Sequence, residues 1–226
     1  METGAPVSEF ESYLLYEWNQ FKADSARARA TLQAVAGLDV RRVLDIGCGA
    51  GQEMLPLIEG GAFGVGIDYD AEAGTVGKRL FASTEAAFAR CSGEDLPFRS
   101  ESFDVLICRL ALPYMDNAKA FAEMSRVLRP KGRLLLKIHA APYYLVKCWT
   151  GIRRAEPLFA SHALRVLAAG AIYHVTGKQA PPGLWTKEVF QSEGLLKREL
   201  ARINMAIVDK LPDSNIQTPA FVIVKK

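Results

Sequence analysis

The sequence predicts a doubly wound α/β sheet, and three observations carry that expectation. Short apolar runs stop at glycine or a polar residue, helical patterns lie between them, and the connections are short. The first run, "RRVLDIG" at 41–47, is apolar at Val43, Leu44 and Ile46 and closes on a glycine. A strand buried on both faces of a parallel sheet has this pattern.

Ahead of that strand, residues 8 to about 36 read as one helix. It opens on "SEFE" in the form of a capping box, is rich in alanine after Asp24 and ends at Gly37. Behind it follow a helix "QEMLPLIEGG", a second strand "AFGVGID", a helix over 71–82 and a third strand "AAFARCS". "FDVLICR" gives the fourth strand, "DNAKAFAEMSRVLRP" a helix stopped by proline, and "GRLLLKIH" the fifth strand. The register breaks after His139, so 140–183, ending in "APPG", reads as an insertion. A helix "TKEVFQSEG" and two strands, "LLKRELARINMAIV" and "PAFVIVKK", follow it.

The 226 residues suit one domain, and a composition that is half hydrophobic implies a packed core. The net charge of +3 is small, and the excess of basic residues after residue 140 is too dilute for a nucleic-acid face. Cys48, Cys91, Cys108 and Cys148 are dispersed, with no Cys-x-x-Cys pair. That argues for a reducing compartment, hence the cytoplasm, and against zinc. No secretory signal or membrane-spanning run is read. His139, His162 and His174 lack metal spacing, so no metal site is expected.

The turn "VLDIGCGAGQE" carries the chemistry. A dinucleotide fingerprint would read Gly-x-Gly-x-x-Gly, whereas Gly47, Gly49 and Gly51 bring the third glycine one residue early. Asp45 puts a carboxylate just ahead of the turn, unfavourable for a diphosphate and welcoming to an ammonium group. S-adenosylmethionine carries such a group and no phosphate, and the turn's free amides are expected to meet its carboxylate. Asp68 ends the second strand, where an acidic side chain accepts from ribose hydroxyls. By itself it indicates an adenosine group without choosing between dinucleotide and adenosyl ligands.

Four stretches in order, "VLDIGCGAG", "GIDYD", "GEDLPFRSESFDVLIC" and "EMSRVLRPKGRLLL", resemble class I S-adenosylmethionine-dependent methyltransferases. The resemblance covers roughly 41–139 and is to the branch acting on small molecules, quinones and lipids. It implies a Rossmann-like, mixed seven-stranded sheet with helices on both faces, an antiparallel last strand and a helical insertion after strand five. Asp45, Gly47, Cys48 and Gly49 would surround the methionyl end, Asp68 would hold the ribose and Tyr69 would flank the adenine. Relatives place an aspartate where Ser92 stands, so Ser92, Gly93 and Glu94 are the candidates at the adenine edge. In "CRLALPYMDN", Arg109 is assigned to the cofactor side, and Tyr114 to the catalytic cavity below the transferred methyl.

The implied division is an N-terminal helical lid at 8–36, a cofactor-binding core at 37–139, a substrate cap at 140–183 and a terminal helix and two strands at 184–226. Tyr16 is the residue chosen for the lid's contact with the cofactor. His139, ending the fifth strand, is the candidate general base for a substrate hydroxyl or acidic carbon. The wide apolar face of 158–175 predicts burial, as a cap or a homodimer surface, with interfacial contact of 143–176 with anionic lipid as the alternative. The expected function is methyl transfer from S-adenosylmethionine to a small, partly apolar acceptor. A non-catalytic binding or partner subunit is the alternative, and a nicotinamide oxidoreductase a weaker third.

Overall fold

The computed structural model describes residues 7–179 and 186–226. The "APPG" turn and the 183/184 boundary lie outside the described residues. The elements are α1 (Glu9–Ala23), α2 (Ser25–Ala34), β1 (Arg42–Ile46), α3 (Leu55–Glu59), β2 (Phe63–Asp68), α4 (Ala71–Leu80), β3 (Ala86–Arg90) and β4 (Phe103–Arg109). Then come α5 (Asn117–Val127), β5 (Leu128–Lys137), α6 (Ala141–Arg153), α7 (Pro157–Thr176), α8 (Glu193–Ala201), β6 (Met205–Lys210) and β7 (Ala220–Lys225). Single 3₁₀ turns lie at Gln52–Met54 and Leu112–Tyr114.

The seven strands form one sheet in the order β3-β2-β1-β4-β5-β7-β6, with β7 antiparallel to both neighbours. Chain order reverses between β1 and β4, the position where ligands enter open α/β sheets. Strand alternation sorts the core. Val43, Val105, Ile107 and Leu135 face α1 to α4, while Leu44, Ile46, Leu106, Leu134 and Leu136 face α5 and α8. Val43, Leu44 and Ile46 are fully buried, each contributing about 1.5 to 3 kcal/mol of apolar transfer.

Three boundaries differ from the sequence reading. The 8–36 helix is two helices, because Asp24 ends α1 through its N–H to Gln20 and caps α2 by accepting from Ala26 N at 2.8 Å. The helix expected to run to Pro130 stops at Val127; Pro130 sits in β5 beside a register shift, where no ladder donor is needed. The stretch from Thr186 to Gln191 is irregular rather than helical, and Ser192 caps α8, whose Leu195, Leu196 and Leu200 stripe forms a helix where the sequence predicts a strand.

In the insertion, α6 buries Tyr144, Cys148 and Gly151, and α7 buries Ala160, Ala163, Val166, Ala169, Gly170 and Tyr173. Burial of the whole apolar face is not what the fold does. Leu145, Val146, Trp149 and Ile152 on α6, with Leu158, Leu164 and Val175 on α7, are exposed, because each helix turns only one stripe inward.

Candidate active site

The same alternation lines up a charged row. Asp45, Arg109 and Lys137 continue the Val43, Ile107 and Leu135 faces beyond the core, and Arg109 is paired with Lys137 across β4 and β5. Glu53 meets Arg109 Nε at 3.1 Å and also contacts Arg27 of α2. Asp213, from the β6–β7 loop, contacts Arg109 and lies 2.7 Å from Lys137 Nζ. Burial raises the Asp213 carboxyl, but Arg109 and Lys137 outweigh it and hold it below its ordinary value.

Among the described residues Asp45 has no matching partner. Burial, then Glu53 and Asp68, push its carboxyl well above the ordinary value, and its Oδ2 makes no hydrogen bond. Arg27 Nε, Gln52 Oε1 and Glu53 Oε2 are likewise buried and unpartnered among the described residues.

Gly47, Gly49 and Gly51 all have positive φ, as the tight turn requires. A Cβ on Gly47 would lie 2.3 Å from Ala111 Cβ, so only glycine lets the β1 and β4 loops approach. Four of the turn's amides, expected to be free, already have partners. Gly47 N and Cys48 N donate to Ile67 O at 2.8 and 3.0 Å, Gly49 N to Asp68 Oδ2 at 3.0 Å, and Gly51 N to Cys48 O at 2.8 Å. Burial, with Asp45 and Asp68 nearby, keeps Cys48 a thiol well above its ordinary value.

These groups line one cavity of about 940 Å³, large for a ligand pocket. Asp45, Gly47, Cys48, Gly49 and Arg109 line it, as do Asp68, Tyr69, Ser92, Gly93 and Glu94 further along, and Tyr114 and His139 at the other end. Arg90 stacks over the Tyr69 ring at 5.6 Å. Burial raises the Glu94 carboxyl, but its contacts with Lys187 and the Asp116 amide bring it below its ordinary value. Tyr16 is not among the lining residues. Phe10, Tyr13, Leu14 and Glu17, at helical spacing, take the cavity face of α1 and leave Tyr16 exposed.

The sequence reading missed Arg27, Glu53, Asp213, Tyr13, Tyr143 and Glu188. Tyr143 stacks on His139 at 4.0 Å and 3°. Tyr144, fully buried, donates to Glu188 Oε1 at 2.6 Å and lies 3.4 Å from His139 Nδ1, while His162 Nε2 is 2.8 Å from Glu188 Oε2. Burial lowers His139 to about 4 against the pull of Glu188, with Lys147 and Lys137 adding to the lowering.

Residues 44–136 match the family model described as a methyltransferase domain. Over 106 residues the chain is 39% identical to the uncharacterized methyltransferase YcgJ of Bacillus subtilis, covering 45% of this chain and 42% of that protein. Over 115 residues it is 32% identical to the demethylmenaquinone methyltransferase of Clavibacter sepedonicus, covering 50% and 47%. The matches thus span less than half the length of either relative. An S-adenosylmethionine-dependent methyltransferase structure from Thermotoga maritima superposes with a TM-score of 0.59 at 18% identity, over 96% of this chain and 98% of that one. The seven-stranded fold is shared with that structure. Residues 44–136 are similar to a methyltransferase domain in both comparisons.

Proposed function

We propose that this protein binds S-adenosylmethionine in the cavity and directs its methyl group to a small, partly apolar acceptor. One observation carries the reading. Arg27, Asp45, Gln52 and Glu53, each with a buried polar atom that has no hydrogen-bond partner among the described residues, line one cavity and bring both signs of charge to it. A zwitterionic amino-acid group fits such a lining, with Asp45 toward the ammonium and Arg27 toward the carboxylate. A pyrophosphate would face Asp45 and Glu53, which disfavours a nicotinamide dinucleotide.

In this reading Gly47 and Gly49 let the ligand approach the backbone beside Cys48, and Asp68 accepts from the ribose hydroxyls. Tyr69 flanks the adenine, with Ser92, Gly93 and Glu94 at its edge. Arg109 orients Glu53 and Asp213 at the cavity wall, on the cofactor side. S-adenosylmethionine supplies an electrophilic methyl on a sulfonium. The chain positions the acceptor between Tyr13, Tyr114 and Tyr143, excludes water and takes up a proton where one is lost. An apolar acceptor agrees with the quinone substrate in the name of the Clavibacter relative. Calorimetric titration with S-adenosylmethionine, S-adenosylhomocysteine and NADH tests it: micromolar binding of the two adenosyl ligands alone is expected, and binding of NADH alone would overturn it.

We also propose that α6 rests on an anionic lipid surface. Leu145, Val146, Trp149 and Ile152 form one exposed apolar stripe, and exposed Arg153 and Arg154 stand at its end.

A further inference from the structure

We infer that His139, Tyr144 and Glu188 form a relay that fixes His139 as a base with Nε2 free, and that the acceptor is a flat aromatic or enolic hydroxyl compound. The acceptor class rests on the methyl-transfer reading above; the relay does not.

The relay follows from counting protons. Tyr144 has one hydroxyl proton, and at 2.6 Å Glu188 Oε1 takes it. The Tyr144 oxygen is then left to accept, so His139 Nδ1, 3.4 Å away, must carry the proton that it donates. That assigns the tautomer and leaves Nε2 as the lone-pair nitrogen of a ring that lines the cavity. Glu188 cannot swing away. Its Oε2 is held by His162, and its segment is pinned by Val189 N to Pro113 O at 3.1 Å and by Gln191 N to His139 O at 2.9 Å.

The imidazole is flanked by Tyr143 and Tyr144 of α6, Tyr114 of the 112–114 turn, Lys147 of α6, Lys137 of β5 and Glu188. Burial and the two lysines keep it neutral down to about pH 4, so its lone pair is available at neutral pH, and Glu188 offsets part of the loss of basicity that burial brings. The imidazolium that forms has Glu188 behind Tyr144 to stabilise it, as the carboxylate of a nucleophilic triad does for its histidine.

A base is useful only to an acceptor that gives up a proton. The acceptor O–H breaks toward Nε2 and its electron pair forms the new oxygen–methyl bond. The carbon–sulfur pair of the S-adenosylmethionine sulfonium stays on sulfur, and the proton leaves Nε2 for solvent afterwards. Tyr13, Tyr114 and Tyr143, lining the cavity beside the imidazole, offer ring faces and edges to a planar acceptor.

Nitrogen-15 NMR of the full chain labelled at histidine, with His139 signals assigned by their loss in H139Q, tests the relay without cofactor. At pH 7 His139 should be protonated at Nδ1 and bare at Nε2, and Y144F should redistribute the proton. A proton on Nε2 in the unaltered chain, or no change in Y144F, would overturn it. Methyl transfer from S-adenosylmethionine to naphthols and matched naphthylamines tests the acceptor class. H139Q should slow transfer to naphthols on the order of a hundredfold at unchanged cofactor affinity, and the unaltered chain should lose rate only as pH falls toward 4. Transfer confined to amines, or naphthol transfer indifferent to H139Q, would overturn that class. Failure to bind S-adenosylmethionine at all would overturn the methyl-transfer reading, and the tautomer would still decide the relay.

Discussion

Gly49 N donates to Asp68 Oδ2 at 3.0 Å, so the turn after β1 and the end of β2 behave as one unit. Asp68 Oδ1 accepts from Asp70 N at 3.0 Å, which leaves each carboxylate oxygen a second lone pair for a ribose hydroxyl. Asp68→Ala is expected to weaken S-adenosylmethionine binding by about 1 to 3 kcal/mol. Asp68→Asn, which keeps one acceptor oxygen, should recover part of the loss. Calorimetry decides it, and unchanged affinity in Asp68→Ala would remove the residue from the site.

Asp45 should show opposite effects on stability and on binding. Its carboxyl is raised above 3.8 in the fold by burial, Glu53 and Asp68, so the folded chain keeps a proton that the unfolded chain releases. Asp45 therefore makes stability fall as pH rises from 3.8 through the folded value, and the full cost is present above it. Asp45→Asn is expected to stabilise the ligand-free protein at neutral pH by about 0.5 to 2 kcal/mol and to weaken cofactor binding at least tenfold. Thermal unfolding at acidic and neutral pH, with and without S-adenosylmethionine, reads both; a less stable Asp45→Asn protein at neutral pH would contradict the first.

The Gly47 turn tests backbone against packing. Gly47→Ala places a Cβ at φ +70 and 2.3 Å from Ala111 Cβ. Left-handed strain and overpacking together should cost about 3 kcal/mol. Ala111→Gly in the same chain removes the clash and leaves the strain, so the double variant should be the more stable of the two. Denaturant unfolding of both variants measures it, and a double variant no better than Gly47→Ala would mean that the Ala111 contact carries none of the cost.

What the sequence disclosed follows physical range. Val43, Leu44 and Ile46 are fully buried around Asp45, so a local apolar pattern announced β1 and the carboxylate together. The glycine turn was legible for the same reason. The fate of its amides was not, because Ile67 O and the Asp68 carboxylate that occupy them come from the neighbouring strand. Glu53 and Asp213 meet Arg109, and Arg27 meets Glu53, from three separate stretches, and no spacing rule joins residues 27, 53, 109 and 213. Glu188 was hidden differently. Its segment has a helical composition, whereas backbone hydrogen bonds to Pro113 and His139 hold it out of a helix. Tyr16 was chosen by residue type, and helical spacing gave the cavity to Tyr13 instead.

The exposed stripe of α6 makes a prediction independent of the cofactor. Leu145, Trp149 and Ile152 recur at helical spacing, with Trp149 61% exposed and Ile152 60%. Trp149→Glu with Ile152→Glu removes apolar area and adds negative charge beside Arg153 and Arg154, yet touches no buried residue of α6. If the stripe rests on lipid, co-sedimentation with phosphatidylglycerol vesicles should weaken at least tenfold, fall with salt, and be absent with pure phosphatidylcholine. Calorimetric binding of S-adenosylmethionine should be unchanged. If the unaltered protein ignores both vesicles and sediments as a dimer that the double variant disrupts, a second copy covers this face and the lipid proposal fails.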